Sequence, residues 1–217
     1  SANSDGMVRR ETNALAAAAD AGVRHVVKLS ALGASKHSRS VIGLWHHNTE
    51  RELRDSGLAW TILRPHRFMQ NLLDPLVFDR ATGVVYSASG DGKIPFLDTR
   101  DIAAAAERAL SEPGHEGLVH TLTGPRALSY REATHILSEA LGRPLEFRDE
   151  TPDQAFARRR AAGQPVWLTA AQLAIAGYQR AGGPTAKTTD TVERLTGRPA
   201  TDLEAWAADH LDGMRRR

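Results

Sequence analysis

Cysteine is absent from all 217 residues, which excludes disulfides, thiolate nucleophiles and zinc–cysteine sites. No apolar run approaches the roughly 20 residues of a membrane span, and no secretory signal pattern is visible, so a cytoplasmic chain without a membrane partner is expected. Charge of one sign is missing too: 28 Lys and Arg stand against 26 Asp and Glu, a formal net charge of +2. Basic and acidic residues are interleaved, and the short runs Arg158–Arg160 and Arg215–Arg217 read as a solvated helix face and a tail. No nucleic-acid partner is expected. His25, His37, His46, His47 and Glu50 lack any metal-ligand spacing such as H-E-x-x-H, so no metal is expected. The most informative absence is a glycine-rich turn. Gly33, Gly43, Gly90 and Gly92 have neither the spacing nor the strand–turn–helix context that cradles a pyrophosphate.

What is present alternates. The length fits one domain, or one with a small appendage, and 41% hydrophobic with 25% charged residues is ordinary for a globular chain. After a small polar loop at Ser1–Gly6, the Ala-rich run 7–21 predicts a helix closed by Gly22. The β-branched run Arg24–Leu29 predicts a buried parallel strand, 41–55 a second helix, and Trp60–Leu63 the next strand. Residues 67–80 read as helical or irregular, and Gly83–Ala88 as a short strand before the Gly90–Gly92 turn and the apolar stretch Ile94–Leu97. A helix follows over 98–110, and helix N-capping accounts for Asp98 and Asp101 without chemistry. Gly117–Thr123 predicts a strand. Residues 128–141 form a helix opened by a Ser129/Glu132 capping box and stopped by Gly142; Leu145–Arg148 is strand-like, and the rest is helical and loop-rich. Such alternation predicts a parallel sheet with helices on both faces.

Chemistry concentrates between His46 and Asn71. His46 and Glu50 are four apart on the second helix and so share a face, where a near-neutral His can act as acid or base and Glu50 can orient it. Ser30 directly follows a strand, at the crevice above the sheet, and Pro65 shapes a wall of that crevice after the strand ending in Leu63. Phe68, Met69 and Asn71 then supply apolar surface with one polar anchor, as a small-molecule site requires. Trp167, Tyr178 and Trp206 lie in the C-terminal part, and no local pattern says which of them lines a site.

The segments AAADAGVRHVVKLSALGA, His46-x-x-Thr49-Glu50, SGLAWTILRPHRFMQN, KIPFLDTRDIAAAAERAL and LTGPRALSYREATHILSEALGRP carry a resemblance over most of Ala14–Pro144, and DTVERLTGRPATDLEAWAADH fits with them. Together they resemble the NmrA-like proteins, an atypical branch of the short-chain dehydrogenase/reductase superfamily. The family's glycine-rich front quarter has no counterpart, so either a second chain supplies it, or the sequence is a piece, or the fold is rebuilt. The resemblance implies an α/β fold: part of a Rossmann-type, doubly wound parallel sheet over residues 1–112, then a strand and a small α+β substrate subdomain over 113–217. It implies NADP or NAD as cofactor, provided the front portion is supplied, a small-molecule substrate, and possible homo-oligomers. Ser30 matches the serine that donates to a substrate carbonyl. His46 and Glu50 occupy the places of the usual catalytic Tyr and Lys, and Glu brings no cation. Pro65, His66 and Phe68 match the turn that meets the nicotinamide, with Met69 and Asn71 toward substrate. Three functions stay open on this basis. One is an NAD(P)H-dependent reductase of quinones or other small carbonyl or aromatic compounds. The others are a redox-neutral acid–base enzyme such as a dehydratase or cyclase, and a non-catalytic dinucleotide-sensing regulator.

Overall fold

The computed structural model describes residues 6–215; Ser1–Asp5 of the expected polar loop, and Arg216 and Arg217 of the basic tail, lie outside the described residues. Helix α1 (Met7–Asp20) leads through Gly22, at φ +69°, into strand β1 (His25–Leu29). Helix α2 (Val41–Asp55) and strand β2 (Ala59–Pro65) follow, and β2 is the centre of a parallel sheet ordered β1-β2-β5, with β5 at Leu118–Leu122. The register pairs Leu29 with Leu63 and Pro65 with Leu122. Strand β2 therefore runs two residues past the expected Leu63. Pro65 ends it, where a missing N–H is tolerated, and its carbonyl accepts from the Leu32 amide at 2.9 Å.

Alternation along the strands places helices on both faces, as expected. Lys28 of β1 pairs with Glu11 of α1, and Arg64 of β2 pairs with Glu50 of α2. The neighbouring Val27 and Leu63 point the other way, into a core with Leu122, with Ile102 and Ala105 of α3 (Thr99–Ser111) and with Val192 of α7 (Thr191–Thr196). Crossover helices usually bury such strands on both sides, but here β1 is mostly half-buried with Leu29 48% exposed, and Val119 of β5 is 40% exposed, so the first strand is less buried than its sequence suggests.

A second, mixed sheet is built from β3 (Phe78–Asp79), β4 (Val84–Ser87) and β6 (Glu146–Asp149), with β3–β4 antiparallel and β4–β6 parallel. Strands β3 and β4 precede residue 112 yet belong to this second sheet, while β5 follows it and belongs to the first. The stretch 67–80 proves to be a 3₁₀ turn at Met69–Leu73 followed by β3, and Ile94–Leu97 bridges to Leu128 and Phe68. The core here gathers α4 (Tyr130–Leu141), α8 (Leu203–Asp209) and α9 (Leu211–Arg215) around the fully buried Trp206. Both bonds of the Ser129/Glu132 capping box are made, and Gly142 closes α4 at φ +64°. Helices α5 (Pro152–Ala161) and α6 (Val166–Ala181) and a 3₁₀ turn at Gly183–Ala186 complete the chain. Among the described residues no helix is long and apolar enough to cross a membrane.

Two glycines are required by close approach. A Cβ on Gly124 would lie 1.8 Å from the Phe96 carbonyl oxygen, and one on Gly92 would lie 2.0 Å from that of Gln179. Both obstacles are backbone, which cannot swing aside. Gly124→Ala is expected to cost roughly 1–3 kcal/mol through overpacking, read as a lower urea midpoint. An unchanged midpoint would show that the two segments have room to separate.

Candidate active site

The carboxyl ends of β1 and β2 open into a cavity of about 510 Å³, within the range of small-molecule sites. Ser30 and the loop after it form one side; the Pro65–Asn71 turn forms another; α6 closes over the top through Leu168, Gln172, Ile175 and Gln179. Those four recur at helical spacing on one face of α6. Two contacts tie α6 down. The Tyr178 hydroxyl accepts from the Arg39 amide at 3.2 Å, and Trp167 packs on Trp45 of α2 with ring centroids 5.3 Å apart.

Six of the eight residues singled out in the sequence line this cavity: Ser30, His46, Pro65, His66, Phe68 and Asn71. Met69 does not. Its side chain is 1% exposed and packs in the core with Leu72 and Phe78, because the 3₁₀ turn rotates it away from the cavity wall. Glu50 does not reach the cavity either, and its partners differ from those expected. It is fully buried and accepts from Ser30 Oγ at 2.6 Å, Arg64 Nε at 2.8 Å, Arg64 Nη2 at 2.5 Å and Arg54 Nη2 at 3.1 Å. Burial pushes its pKa up, but the hydrogen bonds from Arg64, Ser30 and Arg54 outweigh that and hold it below the usual carboxylate value. The expected orientation of His46 by Glu50 is not what the carboxylate does; it clamps two arginines behind the cavity wall. Arg64 also brings a cation to the place where the sequence, with Glu50 at the usual lysine position, suggests none.

The Ser30 hydroxyl gives its proton to Glu50, so it presents lone pairs to the cavity. Donation from Ser30 to a substrate requires that bond to be given up. His46 is 8% exposed, and its Nδ1 is buried without a hydrogen-bond partner. Burial, reinforced by the Lys28 ammonium and opposed by Glu11 and Glu50, lowers its pKa to about 4, so the ring is neutral near pH 7. His66 is lowered to about 4 as well, chiefly by burial, against a hydrogen bond with the Thr185 backbone. Its Nδ1 accepts from the Arg67 amide at 2.7 Å, which puts the neutral ring's proton on Nε2.

Asp98 and Asp101 are structural. Asp98 caps α3, accepting from the Arg100 amide at 2.9 Å, while Asp101 holds the Thr201 amide at 2.7 Å and Arg198 at 2.8 Å. No group of three or more metal-ligating side chains occurs among the described residues. Sequence reasoning missed Arg67 and most of the α6 face; of the three aromatics it left unplaced, Tyr178 lines the cavity, Trp167 packs on Trp45 and Trp206 is core. Arg67 stood beside the noted Pro turn. The 168/172/175/179 spacing was visible, but its mix of two apolar residues and two glutamines gave no amphipathic contrast.

Residues 2–113 match the sequence profile of a family described as NAD(P)H-binding. The chain belongs to that family. It is 41% identical over 200 residues to (4-alkanoyl-5-oxo-2,5-dihydrofuran-3-yl)methyl phosphate reductase of Streptomyces griseus, covering 92% of this chain and 70% of that protein. It is 39% identical over 199 residues to NAD(P)H azoreductase of Xenophilus azovorans, covering 90% of this chain and 68% of the relative. Its fold superimposes on the NADPH complex of the NADPH-dependent quinone oxidoreductase of Escherichia coli with a TM-score of 0.85 at 29% identity, covering 98% of this chain and 74% of that one.

Proposed function

We propose that the protein is an NAD(P)H-dependent reductase of a quinone or another small carbonyl or aromatic acceptor, working in the cytoplasm. The observation that carries this reading is the 510 Å³ cavity at the carboxyl strand ends, with a buried neutral His46 in its wall, in a chain of the NAD(P)H-binding family. The residues present fit the nicotinamide end of the cofactor. Pro65 and Phe68 offer apolar surface for a flat ring, and buried Thr185 Oγ1 and Ser40 Oγ lack partners at the same cavity. The loop between β1 and α2 carries a single glycine, Gly33, and so is not the glycine-rich turn that takes a pyrophosphate. Bound there, NAD(P)H supplies a hydride.

The chain's own residues then bind and orient the acceptor and manage a proton. His46, neutral and desolvated, holds its proton on an imidazole nitrogen that can donate to an acceptor oxygen as negative charge grows there. Arg64 and Glu50 keep Ser30 in place behind it. Because every Glu50 oxygen is occupied, the carboxylate is not free for the redox-neutral acid–base pair that the His46/Glu50 spacing suggested.

The test is NADPH consumption by the protein against a panel of naphthoquinone, azo dye and enone acceptors. His46→Ala should leave hydride transfer to the quinone nearly intact while slowing reduction of the carbonyl acceptor by roughly 10²–10⁴-fold. Full retention of both rates in that variant would remove His46 from the chemistry. Binding of NAD(P)H with no turnover across the panel would replace the reductase with a sensor.

A further inference from the structure

The cavity carries an unbalanced charge. Among the described residues lining it there is no Asp, Glu or Lys, and Arg67 is its sole arginine. Two half-buried arginines elsewhere have carboxylate partners, Arg64 with Glu50 at 2.5 Å and Arg158 with Glu150 at 2.6 Å. Arg67 has no ion pair among the described residues, and its Nε is buried without a hydrogen-bond partner. The backbone around it is pinned, since its amide donates to His66 Nδ1 at 2.7 Å and its carbonyl accepts from the Leu97 amide at 2.9 Å. An unpaired guanidinium held at a cavity wall is costly to leave desolvated, and its planar fork suits bidentate binding of a phosphate or carboxylate.

A second cation stands behind it. Arg67, Gln172 and Gln179 are shared between the main cavity and a small annex of about 20 Å³, room for about one water. Arg159 lines that annex at 7% exposure, and its side-chain hydrogen bonds go to amides, Gln172 Oε1 at 2.7 Å and Gln164 Oε1 at 3.5 Å. Burial first, then repulsion from Arg158 and Arg67, lowers its pKa. Two guanidinium groups thus share one wall, and among the described residues neither has an ion pair; the Asp74 carboxylate acts on Arg159 only weakly, behind burial and the two neighbouring arginines.

We infer that the α6 end of this cavity binds an anionic group of the substrate, a phosphate or a carboxylate, through Arg67 with Arg159 behind it. The proposal rests on the reductase reading for the word substrate only; the anion site itself stands on the geometry. Such a group would anchor the acceptor at the end of the cavity where α6 closes. Neutral quinones would then be accepted as poorer, unanchored substrates. The dinucleotide's own phosphates share this chemistry, so the experiment must separate the two sources.

Calorimetric titration of the full chain with phenyl phosphate, and with benzyl alcohol as a neutral probe of similar ring size, reads the site without turnover. Phenyl phosphate is expected to bind at least about tenfold tighter than benzyl alcohol. Arg67→Met should abolish that preference and Arg67→Lys should restore part of it, because Lys supplies the charge without the fork. Both variants should keep the wild-type thermal transition, since Arg67 leaves no orphaned partner behind. Phenyl phosphate should also bind in the presence of saturating NADP. Absence of a preference in the wild type, or its survival in Arg67→Met, overturns the proposal. Displacement of phenyl phosphate by NADP, with Arg67→Met weakening NADP to the same degree, overturns it in favour of a cofactor phosphate. Failure of the reductase reading would look different: no turnover with any acceptor, alongside an intact phosphate preference.

Discussion

Replacing Glu50 by Ala is expected to lower the stability of the protein by roughly 3–5 kcal/mol, the usual cost of removing one partner from a buried ion pair. The carboxylate is fully buried and receives four hydrogen bonds, three of them from the guanidinium groups of Arg54 and Arg64. Its loss leaves Arg64, 27% exposed, with no carboxylate partner, and frees the proton of Ser30 from its acceptor. For a chain of this length about 1 kcal/mol corresponds to roughly 2–4 °C, so the thermal midpoint should fall by roughly 6–20 °C. Glu50→Gln should fall between the two proteins, because the amide still offers an oxygen but no charge. The folded pKa of Glu50 lies below the ordinary glutamate value of 4.5, so its contribution is present above that pH and fades as pH falls through the folded value. The measurement is a pair of urea melts at pH 7, with Arg51→Ala as control, since Arg51 is 61% exposed and, among the described residues, pairs only with Glu52. A loss for Glu50→Ala no larger than that of the control would show that the clamp adds nothing net.

That clamp also shows where sequence reasoning reaches its end. The alternation of helix and strand, the Ser129/Glu132 box and the cluster of site residues between Ser30 and Asn71 are local patterns, and the structure contains them. The i, i+4 spacing correctly set His46 and Glu50 on one face of α2. Spacing does not say which atoms a buried carboxylate will choose, and desolvation decides that: it goes to cations and hydroxyls, here Arg64 and Ser30, 14 and 20 residues away. Met69 failed for a similar reason. A turn residue is read as accessible, whereas a single 3₁₀ turn sends alternate side chains to the core and the cavity. The α6 wall was hidden by distance along the chain, with Gln172 more than 100 residues from Asn71. Long-range contacts bring that helix over the site: Trp167 on Trp45, the Arg39 amide to the Tyr178 hydroxyl, and the Ser89 hydroxyl to Gln179.

Acid is expected to unfold the protein well before its carboxylates are protonated, and the two cavity histidines are the reason. His46 and His66 move from the ordinary histidine value of 6.5 to about 4 on folding. A depressed histidine is one that the folded protein keeps neutral, so below pH 6.5 the unfolded chain takes up protons that the folded one refuses. Stability should therefore fall as pH drops from about 6.5 to about 4 and level off, for these two groups, beneath that. At about 1.4 kcal/mol per tenfold change in proton affinity, the gap is on the order of 3 kcal/mol for each ring. Together they approach the lower part of the roughly 5–15 kcal/mol that holds a typical domain together. The check is the urea midpoint measured across pH 4–8 for the wild type, His46→Asn, His66→Gln and the double variant. Each single change should remove about half of the acid slope and the double change nearly all of it. A wild-type slope that survives in the double variant would assign acid sensitivity to other groups, with Glu50 contributing only in the most acidic part of the range. The same depression shapes catalysis. With the folded His46 titrating near 4, a reductase using it should show no activity break near pH 6.5, and its acid limb should coincide with loss of the fold.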